Sequence, residues 1–271
     1  MRAELKDILL YGLCVPSGLY ALYEGSNLFS YISEIKASSP ECYHPNPNRV
    51  ELFFGTMILL ALLQAPVQAV TRIHFESVLS ESKFPKGTPE RANKVQMMAE
   101  RIYRFFLYLG FTLFGLWILK QGNFLHRYLL GNTTNPQYFV NYPCQQLPKY
   151  LDDFYVIKFS YHIYEIINAA GFHRNRRDFS EFLLHHIVTI TMVGYSYCTN
   201  IIPIGGSIML VMDASDVLVA VFKLTVDAYD RLQFPIFLSM VIGWVYFRIW
   251  FFPVYLITEI YIQAHATGHP A

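Results

Sequence analysis

Two adjacent histidines, His185 and His186, stand in the otherwise apolar stretch EFLLHHIVTI. The next apolar stretch, GGSIMLVMDASDVLVAVFKL, carries Asp213 and Asp216, which are three residues apart and so share one helical face. Ionisable residues in such segments are candidates for function, because unpaired polar groups are costly there. A carboxylate beside an imidazole fixes its tautomer and stabilises its protonated form. These four side chains therefore predict general-base catalysis, or an imidazole nucleophile in acyl transfer.

Other chemistry is open to the same residue types. Two histidines and two aspartates could ligate a metal, but adjacent histidines on a helix point about 100° apart. The sequence adds no CxxC or HExxH pattern, and no further histidine lies four residues from either one. We therefore predict no metal. A proton relay for transport, and interhelical hydrogen bonds with a purely structural role, remain alternatives.

The composition is that of a membrane protein. The 271 residues are 54% hydrophobic and 15% charged, whereas soluble domains have about a quarter charged residues. The net charge of +1 gives no basic excess, so nucleic acid is not an expected partner. The cysteines are far apart in the sequence and imply no disulfide framework. They are Cys14, Cys42, Cys144 and Cys198.

Apolar runs indicate an all-α, polytopic membrane protein with about seven transmembrane helices, since a span needs about 20 apolar residues. The predicted spans are 7–24, 50–71, 104–120, 152–171, 181–202, 204–224 and 234–262. The first is interpreted as a retained helix, because it lacks a signal-peptide pattern. The last is expected to kink around Pro253. The spans that carry the histidines and aspartates are joined by a tight turn, so they are predicted to be antiparallel neighbours.

Basic residues predict the orientation. Loops 72–103 and 172–180 carry most of the lysines and arginines outside the spans, so both are expected on the cytosolic side. Loop 121–150, which contains Cys144, then lies on the lumenal side, as does Cys42, so these two cysteines could pair. The same loop contains Asn132-Thr133-Thr134, a candidate glycosylation tripeptide.

The string RRDFSEFLLHHIVTITMVGYSYCTN, followed by GGSIMLVMDASDVLVAVFK, resembles the Lag motif of ceramide synthases, which are TLC-domain proteins. The segments AERIYRFFLYLGF, VNYPCQQLP and YFRIWFFPVYLI also look like family segments, so the resemblance covers roughly residues 90–262. The motif positions are Arg176, Arg177, Asp178, Phe179, Glu181, His185, His186, Thr189, Ser196, Tyr197, Asn200, Asp213, Asp216 and Lys223.

The resemblance implies a multi-pass endoplasmic-reticulum N-acyltransferase. Such an enzyme transfers a fatty acyl group from acyl-CoA, its co-substrate, to the amine of a sphingoid base, giving (dihydro)ceramide. The fold it implies is a six-helix barrel around an acyl tunnel, here with an additional N-terminal helix. The expected catalytic residues are His185, His186, Asp213 and Asp216, with His185 favoured as the acyl-bearing residue. Arg176 and Arg177 are expected to meet CoA phosphates, or to act only as a cytosolic anchor. No permanently bound cofactor is expected, and a homodimer or heterodimer is left open.

The sequence departs from the family pattern at three positions: Met212 replaces a histidine, Pro203 an arginine and Ala220 a glutamate. The family usually has one further span after the helix 234–262, so a barrel that lacks the last family helix is one expectation. The alternative hypothesis is therefore a non-catalytic TLC-domain protein that binds or senses lipid. The predicted organisation is N-terminal transmembrane helices (1–75), a cytosolic loop (76–100), the TLC domain (101–262) and a short tail (263–271).

Overall fold

The computed structural model describes residues 15–39, 42, 48–172, 179–226 and 228–266. Within these residues the chain is helical and forms no β-strand; one isolated bridge joins His126 to Thr133. The long helices are α1 (Val15–Ser38), α2 (Arg49–Val78), α3 (Pro89–Leu119), α4 (Leu151–Phe172), α5 (Phe179–Cys198), α6 (Ile202–Thr225) and α7 (Gln233–Ala266). The all-α prediction is confirmed.

The largest differences from the predicted helix boundaries are at the end of α1 and the start of α3. Helix α1 ends at Ser38, well beyond the predicted end at residue 24, and residues 1–14 lie outside the described part of the chain. Helix α3 begins at Pro89 rather than near residue 104. Its start is capped because the Thr88 side chain accepts a hydrogen bond from the amide of Arg91, and a proline at the first helical position needs no amide hydrogen. Loop 76–100 is therefore partly helical.

In the part of the chain that the structure describes, four helices are long and apolar enough to cross a membrane, namely α2, α3, α6 and α7. Helix α2 exposes large apolar side chains such as Leu59, Leu62 and Val70, a surface that suits lipid. Helices α4 and α5 occupy the predicted spans 152–171 and 181–202, but they carry more polar and ionisable residues.

The helices pack around a shared interior. Contacts join α2, α3, α6, α5 and α4 into a closed ring, and α7 packs on α6. Two glycines at the start of α6 allow it to approach α4 closely: a Cβ on Gly205 would collide with the Tyr155 hydroxyl, and a Cβ on Gly206 would press on Leu151. This close approach fixes the height of α6 against α4, and with it the height of Asp213.

Helix α7 continues through Pro253 instead of ending there. Residues Val245–Ile257 form a π-helical stretch, in which hydrogen bonds reach five residues back. This wider turn lies between ordinary α-helical segments, Gln233–Trp244 and Thr258–Ala266.

Contacts between loops and between helix ends define two ends of the bundle. At one end, here the disulfide end, Cys42 is bonded to Cys144, and the Tyr142 hydroxyl donates to the Thr199 carbonyl. At the opposite end, here the basic end, Arg101 donates to the Lys223 carbonyl. Among the described residues, successive connections therefore alternate between the two ends; the basic loop 173–178 lies outside them. The disulfide is the pairing that the shared predicted side of Cys42 and Cys144 left open, although their spacing implied no disulfide framework. Residues 102 apart in sequence meet because helices bring their loops to one end.

Candidate active site

Two imidazoles meet inside the bundle. His162 of α4 and His186 of α5 are both buried, and their Nδ1 atoms are 3.1 Å apart. Two such nitrogens can form a hydrogen bond only if one carries a hydrogen and the other accepts it. The Phe182 ring packs on His186, with ring centroids 4.3 Å apart, and helps to hold its orientation.

A buried ion pair lies one helical turn nearer the disulfide end. The Lys158 ammonium of α4 donates to both carboxylate oxygens of Asp213, at 2.7 and 2.8 Å. The two side chains are only 3% and 6% exposed. The same ammonium lies 4.5 Å from the centre of the Phe111 ring, which adds a cation–π contact. Each charge in this layer is thus compensated, as burial requires.

A second ion pair lies one turn nearer the basic end. Arg104 of α3 is 3.2 Å from Glu165 of α4, whose side chain is 2% exposed. The guanidinium also sits 5.7 Å from the centre of the Phe182 ring. Lys158, His162 and Glu165 follow the spacing of one helical face, so α4 places three polar layers along the interior.

A third ion pair forms where α6 meets α7. Arg248 donates to the carboxylate of Asp216 at 2.8 Å and to the hydroxyl of Ser215 at 2.7 Å. The Arg248 and Asp216 side chains are 26% and 36% exposed, so this pair lies at the edge of the polar interior rather than within it. Asp216 is also close enough to His185 for their charges to interact.

The structure brings some of the predicted site residues together and separates others. His186 and Asp213 are buried, whereas His185 is exposed, with its ring centroid 5.3 Å from that of His186. The two histidines diverge, as their adjacency on a helix predicts. Arg176 and Arg177 lie outside the described residues.

The direct histidine–aspartate pairing inferred from the sequence is not formed. Among the described residues, the hydrogen bonds of Asp213 go to Lys158 and those of Asp216 go to Arg248. The physical reason is that a lysine or arginine carries a permanent charge, so it compensates a buried carboxylate better than a neutral imidazole does. His186 is instead paired with a third histidine, His162.

Sequence reasoning missed these partners. They are Arg104, Lys158, His162, Glu165 and Arg248. A signal was present for three of them: α4 is an apolar segment with ionisable residues on one face, which marks a polar interior by the same rule that singled out the adjacent histidines. Among the residues described, no group of three or more His, Cys, Asp or Glu side chains is placed to hold a metal ion.

An apolar cavity of about 360 Å³ lies between α2, α4 and α5 toward the disulfide end. Its lining includes Phe53, Tyr155, Phe159 and Val193, with Arg49 at one side. On α4 and α5 the lining residues continue the stripes that carry His162 and His186, because they lie about one to two turns further along the same faces.

Comparison with known protein families shows which family the chain belongs to. Residues 97–270, well over half the chain, match the TLC domain. The chain belongs to the TLC-domain family. Together with the apolar helices, this makes the TLC-domain chain a multi-pass membrane protein. The matched region extends slightly beyond the predicted domain 101–262 on both sides.

The sequence of this TLC-domain chain is similar to those of several known proteins. It is 29% identical over 168 residues to ASC1-like protein 3 of rice, covering 62% of this chain and 57% of that protein. It is 26% identical over 194 residues to ceramide synthase hyl-2 of Caenorhabditis elegans, covering 71% and 57%. It is 26% identical over 163 residues to sphingosine N-acyltransferase lac1 of Schizosaccharomyces pombe, covering 57% and 39%. The chain thus spans about half the length of these relatives.

Proposed function

We propose that this protein is a sphingoid-base N-acyltransferase that makes (dihydro)ceramide from acyl-CoA and a long-chain base. The names of the relatives, ceramide synthase and sphingosine N-acyltransferase, support the substrate classes. The observation that carries the proposal is the buried imidazole pair, His162 with His186, inside a bundle of membrane helices. A thioester is already activated, so the reaction chiefly needs a base that makes the amine nucleophilic.

His186 is the proposed base. With its Nδ1 bonded to His162, the other ring nitrogen, Nε2, is the one that takes a proton from the amine. The amine nitrogen then bonds to the thioester carbonyl carbon, the carbon–sulfur bond breaks, and CoA leaves as a thiolate that takes up a proton. The products are an amide and free CoA. His162 stabilises the protonated form of His186 by accepting the Nδ1 hydrogen, the role that a carboxylate has in other imidazole bases.

The two aspartates have different proposed roles. Asp216 lies at the edge of the polar interior and is more than one-third exposed, so it is suited to meet the ammonium group of an arriving sphingoid base. Asp213 is fully engaged with Lys158, so we assign it to holding α4 and α6 in register.

His185 is the proposed acyl-bearing residue of a two-step route. Its exposed imidazole would attack the thioester, an acyl-imidazole would form as CoA leaves, and the amine would then take the acyl group. The one-step route needs only His186. Acylated protein isolated after mixing with acyl-CoA in the absence of amine supports the two-step route, and its loss in His185→Ala identifies the residue.

The location and the CoA contacts are proposed on charge and redox grounds. Arg176 and Arg177 belong to a basic loop and are proposed to contact CoA phosphates. The Cys42–Cys144 disulfide supports an oxidising compartment at the opposite end of the bundle. Both fit an endoplasmic-reticulum membrane with the CoA side in the cytosol.

One observation favours a second candidate function, lipid binding without catalysis. The apolar cavity between α2, α4 and α5 has room for part of a hydrocarbon chain and needs no reaction to explain it. A protein of this kind would bind acyl-CoA or sphingoid base and return both unchanged.

The test is product formation by the purified protein. Labelled acyl-CoA and sphinganine are incubated with the wild type, His186→Ala and His265→Ala, and N-acyl product is measured by mass spectrometry. His265 is an exposed histidine on α7 and serves as the matched control. We expect wild-type activity that falls about 10²- to 10⁴-fold in His186→Ala, the range for loss of a general base, and is kept in His265→Ala. Substrate binding without product would favour the second candidate.

A further inference from the structure

The tripeptide Asn132-Thr133-Thr134 is the only Asn-x-Ser/Thr sequence among the 271 residues. Such tripeptides are acceptors for N-linked oligosaccharide when they are accessible on the lumenal side of a membrane. Many occur by chance, so the side chain's exposure and its side of the membrane have to be established separately.

The structure displays Asn132 on a fixed outward turn. The amide of Arg127 donates to the Thr133 carbonyl at 2.8 Å, which closes the turn. Gly131 is required there, because a Cβ would collide with the Leu125 carbonyl. Asn132 and Thr134 are both exposed. The Asn132 amide gives one hydrogen to the Lys120 carbonyl at 3.0 Å, so the side chain has a defined direction at the surface.

An independent observation gives the side of the membrane. The turn lies in the same α3–α4 connection as Cys144, whose disulfide partner is Cys42. Disulfides persist in oxidising compartments, and the endoplasmic-reticulum lumen is one of them. The loop between α2 and α3, at the other end of the bundle, carries Lys83 and Lys86, as expected for a cytosolic side.

We infer that Asn132 is an N-glycosylation site, and that its ligand is an oligosaccharide delivered from a polyprenyl-diphosphate carrier. In the transfer, the Nδ2 atom of Asn132 bonds to the anomeric carbon of the first sugar and loses one proton. The bond from that carbon to the phosphate oxygen breaks, and the diphosphate leaves with the electron pair. The inference does not depend on the proposed acyltransferase activity, because it rests on the disulfide end of the fold.

The test uses the full chain expressed in a eukaryotic cell. Gel mobility is compared before and after treatment with an amidase that removes N-linked glycans and converts the linked asparagine to aspartate. We expect one glycan on the wild type, with Asp at position 132 after release. Asn132→Gln and Thr134→Ala should abolish the mobility shift, whereas Thr134→Ser should keep it. Asn135→Gln, on the same turn, is the matched control and should also keep it.

Two results would overturn the inference: a wild-type chain that carries no glycan, or a shift that persists in Asn132→Gln. The behaviour of Thr134→Ser guards against loss by misfolding, since serine preserves the acceptor tripeptide while it alters the same turn. Acyl transfer is measured on the same preparations. A chain that lacks the glycan but transfers acyl groups would contradict only the glycosylation site. A glycosylated chain without acyl transfer would contradict only the proposed function.

Discussion

His162 and His186 face each other from different helices, with 3.1 Å between their Nδ1 atoms and almost no exposure to the surroundings. The contact gives each imidazole a fixed partner, and it leaves Asp213 to Lys158. The ion pairs Lys158–Asp213 and Arg104–Glu165 lie on either side of the two imidazoles along the bundle. The imidazoles therefore lie in a polar interior and are not exposed to lipid. This arrangement separates the groups that hold the helices together from the groups that handle a proton.

The Lys158–Asp213 pair predicts asymmetric effects of mutation. Lys158→Met or Asp213→Leu alone leaves an uncompensated buried charge, and removal of one partner of a buried pair costs about 3–5 kcal/mol. We expect each single variant to lower the thermal midpoint in detergent strongly. The double variant Lys158→Met/Asp213→Leu should recover most of the loss. Lys149→Met removes an exposed lysine and should have little effect. A double variant no better than its singles would contradict the pairing.

The fold was predictable where local pattern determines it. The apolar runs placed α2, α6 and α7, and the tight turn correctly made α5 and α6 neighbours. The start of α3 was missed because its first turns are too polar to resemble a membrane span, although Thr88 and Pro89 carry the cap. Apolar runs identify the membrane-spanning part of a helix, and α3 begins before that part.

The site was predictable only in part. Adjacent histidines and spaced aspartates stand out in any apolar segment, so His186 and Asp213 could be recognised. Their partners could not, because Lys158 and Asp213 are 55 residues apart and periodicity does not specify which helices face each other. Lys158 and Arg248 bind the carboxylates of Asp213 and Asp216. His186 pairs instead with another imidazole.

The Cys42–Cys144 disulfide predicts a redox-dependent stability. Loss of a disulfide typically costs about 2–4 kcal/mol, because it frees a long loop in the unfolded chain. Cys42→Ser, Cys144→Ser and the double variant should therefore lower the thermal midpoint equally, and reductant should lower it only in proteins that keep the disulfide, namely the wild type and Cys198→Ser. Cys198→Ser is the control, since Cys198 is an exposed free thiol. Additive losses in the double variant would show that the two cysteines are not bonded.

His126, in the α3–α4 connection, predicts part of the acid sensitivity. Its ring packs against those of Tyr128 and Tyr255, and burial lowers the pKa of His126 below its ordinary value. The unfolded chain then binds more protons, so stability should fall as the pH drops below about 6.5 and on through the folded-state pKa. His126→Gln should flatten the dependence of the thermal midpoint on pH over this range, whereas His265→Gln should not. An unchanged slope in His126→Gln would remove this histidine as the cause.

The most direct measurement is a double-mutant cycle on acyl transfer, with His162→Ala, His186→Ala and the double variant assayed for N-acyl product. Residues that act as one unit lose activity together, so the double variant should be no slower than the slower of the single variants. His162→Gln, which can still accept a hydrogen bond, should recover part of the activity lost in His162→Ala. Losses that multiply in the double variant, or full activity in His162→Ala, would contradict a shared role for the two imidazoles.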